Sequence, residues 1–61
     1  MNYETTEALF NHMCNLEMYS KLYSKEINKS DPEWDTVSDY GNSIKAARKG
    51  IFEVLQDQQD V

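Results

Sequence analysis

His12 and Cys14 are the most reactive side chains in this sequence, and each is the only residue of its type. Residues two positions apart on a helix point about 200° away from each other, so these two side chains cannot share a metal ion. Leu9 stands three residues before His12, where a metal site in a helical bundle would need a glutamate. We therefore expect no metal and no cofactor.

The sequence also lacks the parts of a nucleophilic active site. With one histidine, one cysteine and no glycine-rich turn, it offers no catalytic triad, oxyanion loop or phosphate-binding loop. Two packed helices also present little concave volume for a small-molecule substrate. The sequence predicts a protein that is not an enzyme.

Acidic residues form a regular pattern in the second half of the chain. Residues four positions apart on a helix form a row with steps of about 6 Å. One interpretation is a solvated face that keeps the protein soluble. The other is a surface that attracts a basic site on a partner protein. Its spaced charges resemble those of small inhibitor proteins that mimic DNA. The partner-binding interpretation selects Asp31, Asp35, Asp39, Glu53 and Asp57.

A basic row follows the outer side of the first half of the chain, at Lys21, Lys25 and Lys29. These lysines form salt bridges with nearby acids, or they contact a nucleic-acid backbone. In size and architecture the chain resembles plasmid copy-control proteins of the Rop type. That resemblance implies a short acidic helical hairpin that dimerises into a four-helix bundle and binds RNA. The net charge of −5 opposes nucleic-acid binding.

Spacings that alternate between three and four residues predict a long helix over about residues 32–57. The same phase continues on both sides of Gly41, which favours one unbroken helix. A break at Gly41 would give three helices instead. The predicted buried stripe, widened by Trp34, Phe52 and Leu55, consists of Val37, Tyr40, Ile44, Ala47, Ile51 and Val54.

A first helix is predicted over about residues 4–29, capped by Asn2 or Thr5. Its main stripe comprises Leu9, Met13, Leu16, Tyr23 and Ile27, with Ser20 in a gap opposite Gly41. Ser30, or Asp31 with Pro32, starts the second helix. A connection of two to four residues makes the helices antiparallel, so the sequence predicts one all-α hairpin domain over 1–61.

Helix 1 carries a second apolar row on another side, formed by Phe10, Cys14, Met18 and Leu22. This row is a partly exposed flank or, as we favour, the seam of a homodimeric four-helix bundle. Arg48 lies within the apolar arc of helix 2. Its guanidinium reaches outward to solvent, or it pairs with Glu17 within or between chains.

The composition is that of a small acidic protein, which limits its location and its partners. No apolar run is long enough to cross a membrane, and the start of the chain lacks a basic signal-peptide region. The single thiol suits a reducing compartment. We therefore expect a cytoplasmic location. We expect a regulator or inhibitor that binds a basic protein, in the style of a phage or mobile-element product in its host's cytoplasm. The alternatives are a Rop-like nucleic-acid-binding bundle and a structural subunit of a larger assembly.

Overall fold

The computed structural model describes residues 2–59, which form two helices, α1 (Tyr3–Ile27) and α2 (Trp34–Gln59). The helices pack side by side as an antiparallel hairpin that measures 48 × 17 × 11 Å between Cα atoms. The predicted all-helical hairpin is confirmed. Because α2 continues through Gly41, the three-helix alternative is wrong.

Asn2 caps the first helix, as one of the two predicted candidates. Its Oδ1 accepts a hydrogen bond from the backbone N–H of Thr5 at 2.8 Å, and its carbonyl accepts from the Thr6 hydroxyl at 2.9 Å. At the other end the side chain of Asn28 donates to the carbonyl of Ser24 at 2.8 Å. Both ends of α1 therefore have side-chain partners for backbone groups that the helix leaves open.

The connection between the helices is longer than predicted, since residues 28–33 lie outside both helices. Glu33 directly precedes α2, and its carbonyl accepts from the N–H of Val37 at 3.0 Å. Its carboxylate accepts from the Thr36 hydroxyl at 3.2 Å. The second helix begins at Trp34, two residues later than predicted.

The α2 stripe is the seam that contacts α1, as its spacing predicts. Val37 and Ala47 are the buried apolar residues of the described chain, and Tyr40, Ile44, Ile51 and Val54 are half-buried. The residues expected to widen this stripe behave differently. Trp34, Phe52 and Leu55 are exposed.

The stripe predicted for α1 is wrong in part, because the helix is turned by roughly 60° relative to the expected orientation. Met13, Ser20 and Ile27 are exposed. Tyr23 of the predicted stripe does face α2, and Leu9 and Leu16 are half-buried. The residues that join Tyr23 at the seam are Thr5, Ala8, His12, Tyr19 and Glu26, of which Glu26 is buried and the others are half-buried.

Both glycines of α2 lie against aromatic rings of α1, which fixes how the helices align. A Cβ atom at Gly41 would lie 3.7 Å from the ring of Tyr23, at ordinary contact distance. A Cβ atom at Gly50 would lie 2.6 Å from the imidazole of His12, closer than such atoms approach. Gly41 thus faces Tyr23 and not Ser20, and Gly50 makes room for His12.

The two glycines should respond differently to alanine. Gly41→Ala should raise the free energy of unfolding by up to about 1 kcal/mol, because alanine is the better helix former and its Cβ would meet the Tyr23 ring at ordinary contact distance. Gly50→Ala should gain less, or lose stability, because the His12 ring must move. Urea unfolding of both variants at one protein concentration measures the difference.

A His12→Ala background supplies the control for the glycine comparison. With the imidazole removed, Gly50→Ala should stabilise the hairpin by about as much as Gly41→Ala does. Equal gains from both substitutions in the presence of His12 would contradict the close contact.

Candidate functional site

One broad side of the hairpin holds an open groove of about 650 Å³. Leu16 of α1 and Phe52 of α2 line the same groove, so it spans both helices. We call this side the apolar face. Its groove is lined by Leu16, Lys45, Arg48, Lys49, Ile51, Phe52 and Leu55.

Large apolar side chains extend the apolar face along the hairpin. Met13 and Ile27 lie within about 60° of Leu16 on α1, and Trp34 points in the same direction as Phe52 on α2. Trp34 is 65% exposed and Phe52 is 66% exposed. Exposed apolar side chains therefore lie on this side both at the turn and around the groove, with Ser20 and Ser38 between them.

Three basic residues of α2 border this groove, namely Lys45, Arg48 and Lys49. Arg48 is exposed, and between residues 2 and 59 it forms no ion pair. Of the two alternatives for this side chain, a guanidinium that reaches solvent agrees with its exposure, whereas a pair with Glu17 within the chain is not formed there. The Glu17 carboxylate binds the Lys21 ammonium at 3.1 Å. The groove therefore combines an apolar floor with a positively charged border.

The predicted acidic row follows the outer side of α2, which points away from α1, and we call this side the acidic face. Asp35, Asp39, Glu53 and Asp57 are all exposed, and none forms an ion pair within the described residues. Asp57 lines a small surface depression together with Glu4 of α1. Acids from both helices thus meet at the open end of the hairpin, as the antiparallel arrangement predicts.

Asp31, the first acid of the predicted row, lies outside α2 in the connecting turn. The buried carboxylate of Glu26 links this turn to both helices. Its Oε1 accepts from the Lys29 ammonium at 3.0 Å, and its Oε2 accepts from the backbone N–H of Glu33 at 3.3 Å. Glu26 therefore positions the turn and the start of α2.

These contacts shift the charges of the turn. The hydrogen bond from Lys29, followed by that from the Glu33 N–H, lowers the pKa of Glu26 below its ordinary value and outweighs the opposing effect of burial. The hydrogen bond to Glu26 raises the pKa of Lys29. Apolar periodicity missed Glu26, although Thr5, His12, Tyr19 and Glu26 share a seven-residue spacing that could have identified it.

The lysine row is partly occupied by its own helix. Lys21 pairs with Glu17 at 3.1 Å, and Lys29 pairs with Glu26 at 3.0 Å. Lys25, in the last turn of α1, is exposed. Two of the three lysines thus have the salt-bridge partners that one interpretation of the sequence expects.

The second apolar row lies on the outer side of α1. Phe10, Cys14 and Met18 are exposed, whereas Leu22 is half-buried. Met18 points about 140° away from Met13, so the row faces away from the apolar face. Its role as a dimer seam stays a prediction.

Within residues 2–59, no three His, Cys, Asp or Glu side chains come together as a metal site. Neither helix of that part combines the length and apolar character of a membrane span. Comparison with protein-family models, curated proteins and solved structures finds no match for this chain. The apolar face and the acidic face are therefore the features of the described chain that bear on function.

The turn should weaken in acid. Because the folded pKa of Glu26 is lowered, its stabilisation is complete above the ordinary value of 4.5 and disappears as the pH falls through the lowered pKa. Glu26→Gln should therefore unfold more easily than the unmodified protein at about pH 7, with a smaller difference at about pH 2.5. Urea titrations followed by circular dichroism measure both differences.

Glu7→Gln is the matched control for the acid experiment, because Glu7 is an exposed glutamate of the same helix. Its effect on stability should be small at both pH values. A difference for Glu26→Gln that does not change between the two pH values would contradict a stabilising carboxylate at this position.

Proposed function

We propose that this protein is a small non-enzymatic regulator or inhibitor that dimerises into a four-helix bundle and binds another protein through its acidic face. The partner presents a basic surface, including a site that otherwise binds nucleic-acid phosphates. The proposed contacts are Asp31, Asp35, Asp39, Glu53 and Asp57. A phage or mobile-element product acting on a host factor fits this size and charge.

One observation carries the proposal, namely the separation of charge on α2. Exposed acids without ion pairs in the described chain follow the outer side of α2, whereas Lys45 and Arg48 border the groove on the apolar face and Lys49 lies between the two. A face that presents one sign of charge attracts a partner of opposite charge and accelerates its association. Mixed charges on both faces would have cancelled this attraction.

The lysine row supports a nucleic-acid backbone contact less well. Lys21 and Lys29 already pair with acids of α1, and contact with phosphates would require these pairs to break. The net charge of −5 also opposes nucleic-acid binding. A basic protein surface is therefore the better partner.

Neutralising the acidic row should abolish capture of the partner. The double variant Asp35→Asn with Asp39→Asn removes two adjacent charges from the centre of the row while keeping side-chain size. We expect about a tenfold or greater loss of affinity, since charge pairs across an interface each contribute on the order of 1 kcal/mol or more. Pull-down from nuclease-treated lysate, followed by titration with the purified partner, measures the loss.

The matched control removes two charges from the other row, by Lys21→Gln with Lys25→Gln. This variant should retain the partner and its affinity within about twofold. If nuclease or the lysine changes abolish capture while the aspartate changes leave it intact, the protein binds nucleic acid instead.

A further inference from the structure

The seam between α1 and α2 accounts for only part of the apolar surface of each helix. On α1 the stripe through Leu9, Met13 and Ile27 is centred roughly 60° from the residues that face α2. On α2 Phe52 lies about 140° from the buried Ala47. The groove shared by both helices shows that these displaced stripes turn towards the same broad side.

We infer that the apolar face binds the apolar face of a second copy, with the two-fold axis parallel to the helices, so that both turns lie at the same end. This inference rests on the proposed dimer and names its interface and orientation. Each helix then packs against the other helix of its own chain on one side and against a helix of the second copy on another side.

The dimensions of the apolar face suit a second copy. A face of 48 × 17 Å corresponds to roughly 800 Å², the area that each partner buries in a standard stable complex. Among residues 2–59 no large side chain is fully buried in the single hairpin. A second hairpin offers an apolar surface of equal length and would cover Met13, Trp34 and Phe52.

Charge complementarity selects the orientation. Leu16 shares the groove with Lys45 and Arg48, so Glu17 lies at the same height as these bases. When both turns lie at the same end, α1 of one copy packs on α2 of the other, and Glu17, whose exposed pair with Lys21 leaves its second carboxylate oxygen available, approaches Lys45 and Arg48. In the opposite orientation α2 packs on α2, and Arg48 approaches Lys45, which like charges disfavour.

The row of Phe10, Cys14, Met18 and Leu22 is the competing interface. It belongs to α1 alone, and a dimer formed through it would leave the groove and its Phe52 side chain in water. The apolar face draws large apolar residues from both helices. It therefore removes more apolar surface from water when two copies meet.

Met13 and Met18 provide a matched test, because they are methionines of one helix that are 53% and 45% exposed. Sedimentation equilibrium should give a dimer for the unmodified chain at micromolar concentration. Met13→Lys should weaken that dimer about a hundredfold, about tenfold for each copy, because each ammonium would enter an apolar interface. Met18→Lys should change the dissociation constant by no more than about twofold.

Two results would overturn the inferred interface. These are a monomeric unmodified chain that is fully helical, or a dimer that Met18→Lys disrupts and Met13→Lys leaves intact. Neither would remove the proposed partner binding, which uses the acidic face on the outer side of α2. Loss of capture by the Asp35 and Asp39 variant with an intact dimer would conversely leave the interface standing.

A distance measurement tests the orientation without weakening the dimer. Cys14→Ser with Ser30→Cys places one spin label in each exposed turn. Neighbouring helices lie about 8–10 Å apart, so turns at the same end should be separated by roughly 15 Å between backbones. A separation near the 48 Å length of the hairpin would overturn the parallel axis, and Cys14→Ser alone serves as the dimerisation control.

Discussion

Two helices packed side by side cannot fully enclose a large side chain, and the rest of this structure follows from that limit. Each helix touches one neighbour, so a residue at the seam keeps one side open to solvent. Among the described apolar residues, only Val37 and Ala47 are buried. The hairpin therefore has a thin line of contact and two broad faces, and any further burial requires another chain.

The acidic face and the apolar face differ in chemistry. On α2 the exposed aspartates and glutamates follow the outer side, whereas Lys45 and Arg48 border the apolar groove and Lys49 lies between them. The two proposed contacts, with a second copy and with a partner protein, therefore use different sides of the same helix.

Most of the fold could be predicted from the sequence, because long helices with regular apolar spacing and a proline-containing break leave few arrangements open. The residues of α2 that contact α1 could be predicted, because the most apolar side of this helix is also the side that packs on α1. On α1 these directions differ, and the seam uses His12, Tyr19 and Glu26, which an apolar pattern does not select. Apolar spacing identifies every apolar side of a helix. It does not say which of these sides packs against the other helix of the same chain.

The candidate site could be predicted to a smaller extent. The exposure of Asp35, Asp39 and Asp57 follows from their helical spacing, but the groove depends on which residues of α1 lie beside which residues of α2. That alignment is set by the contact of Gly50 with His12 and by the Glu26 carboxylate in the turn. Neither interaction has a signature that a single sequence makes evident.

The Glu26 contact also bears on how the chain reaches this structure. Only seven positions separate Glu26 from Glu33, so their hydrogen bond closes a very short loop, and the entropy lost on closing it is small. Contacts nearer the termini, such as those that bring Glu4 beside Asp57, close much longer loops. The hairpin should therefore zip from its turn towards its open end, in the rapid manner of folds dominated by local contacts.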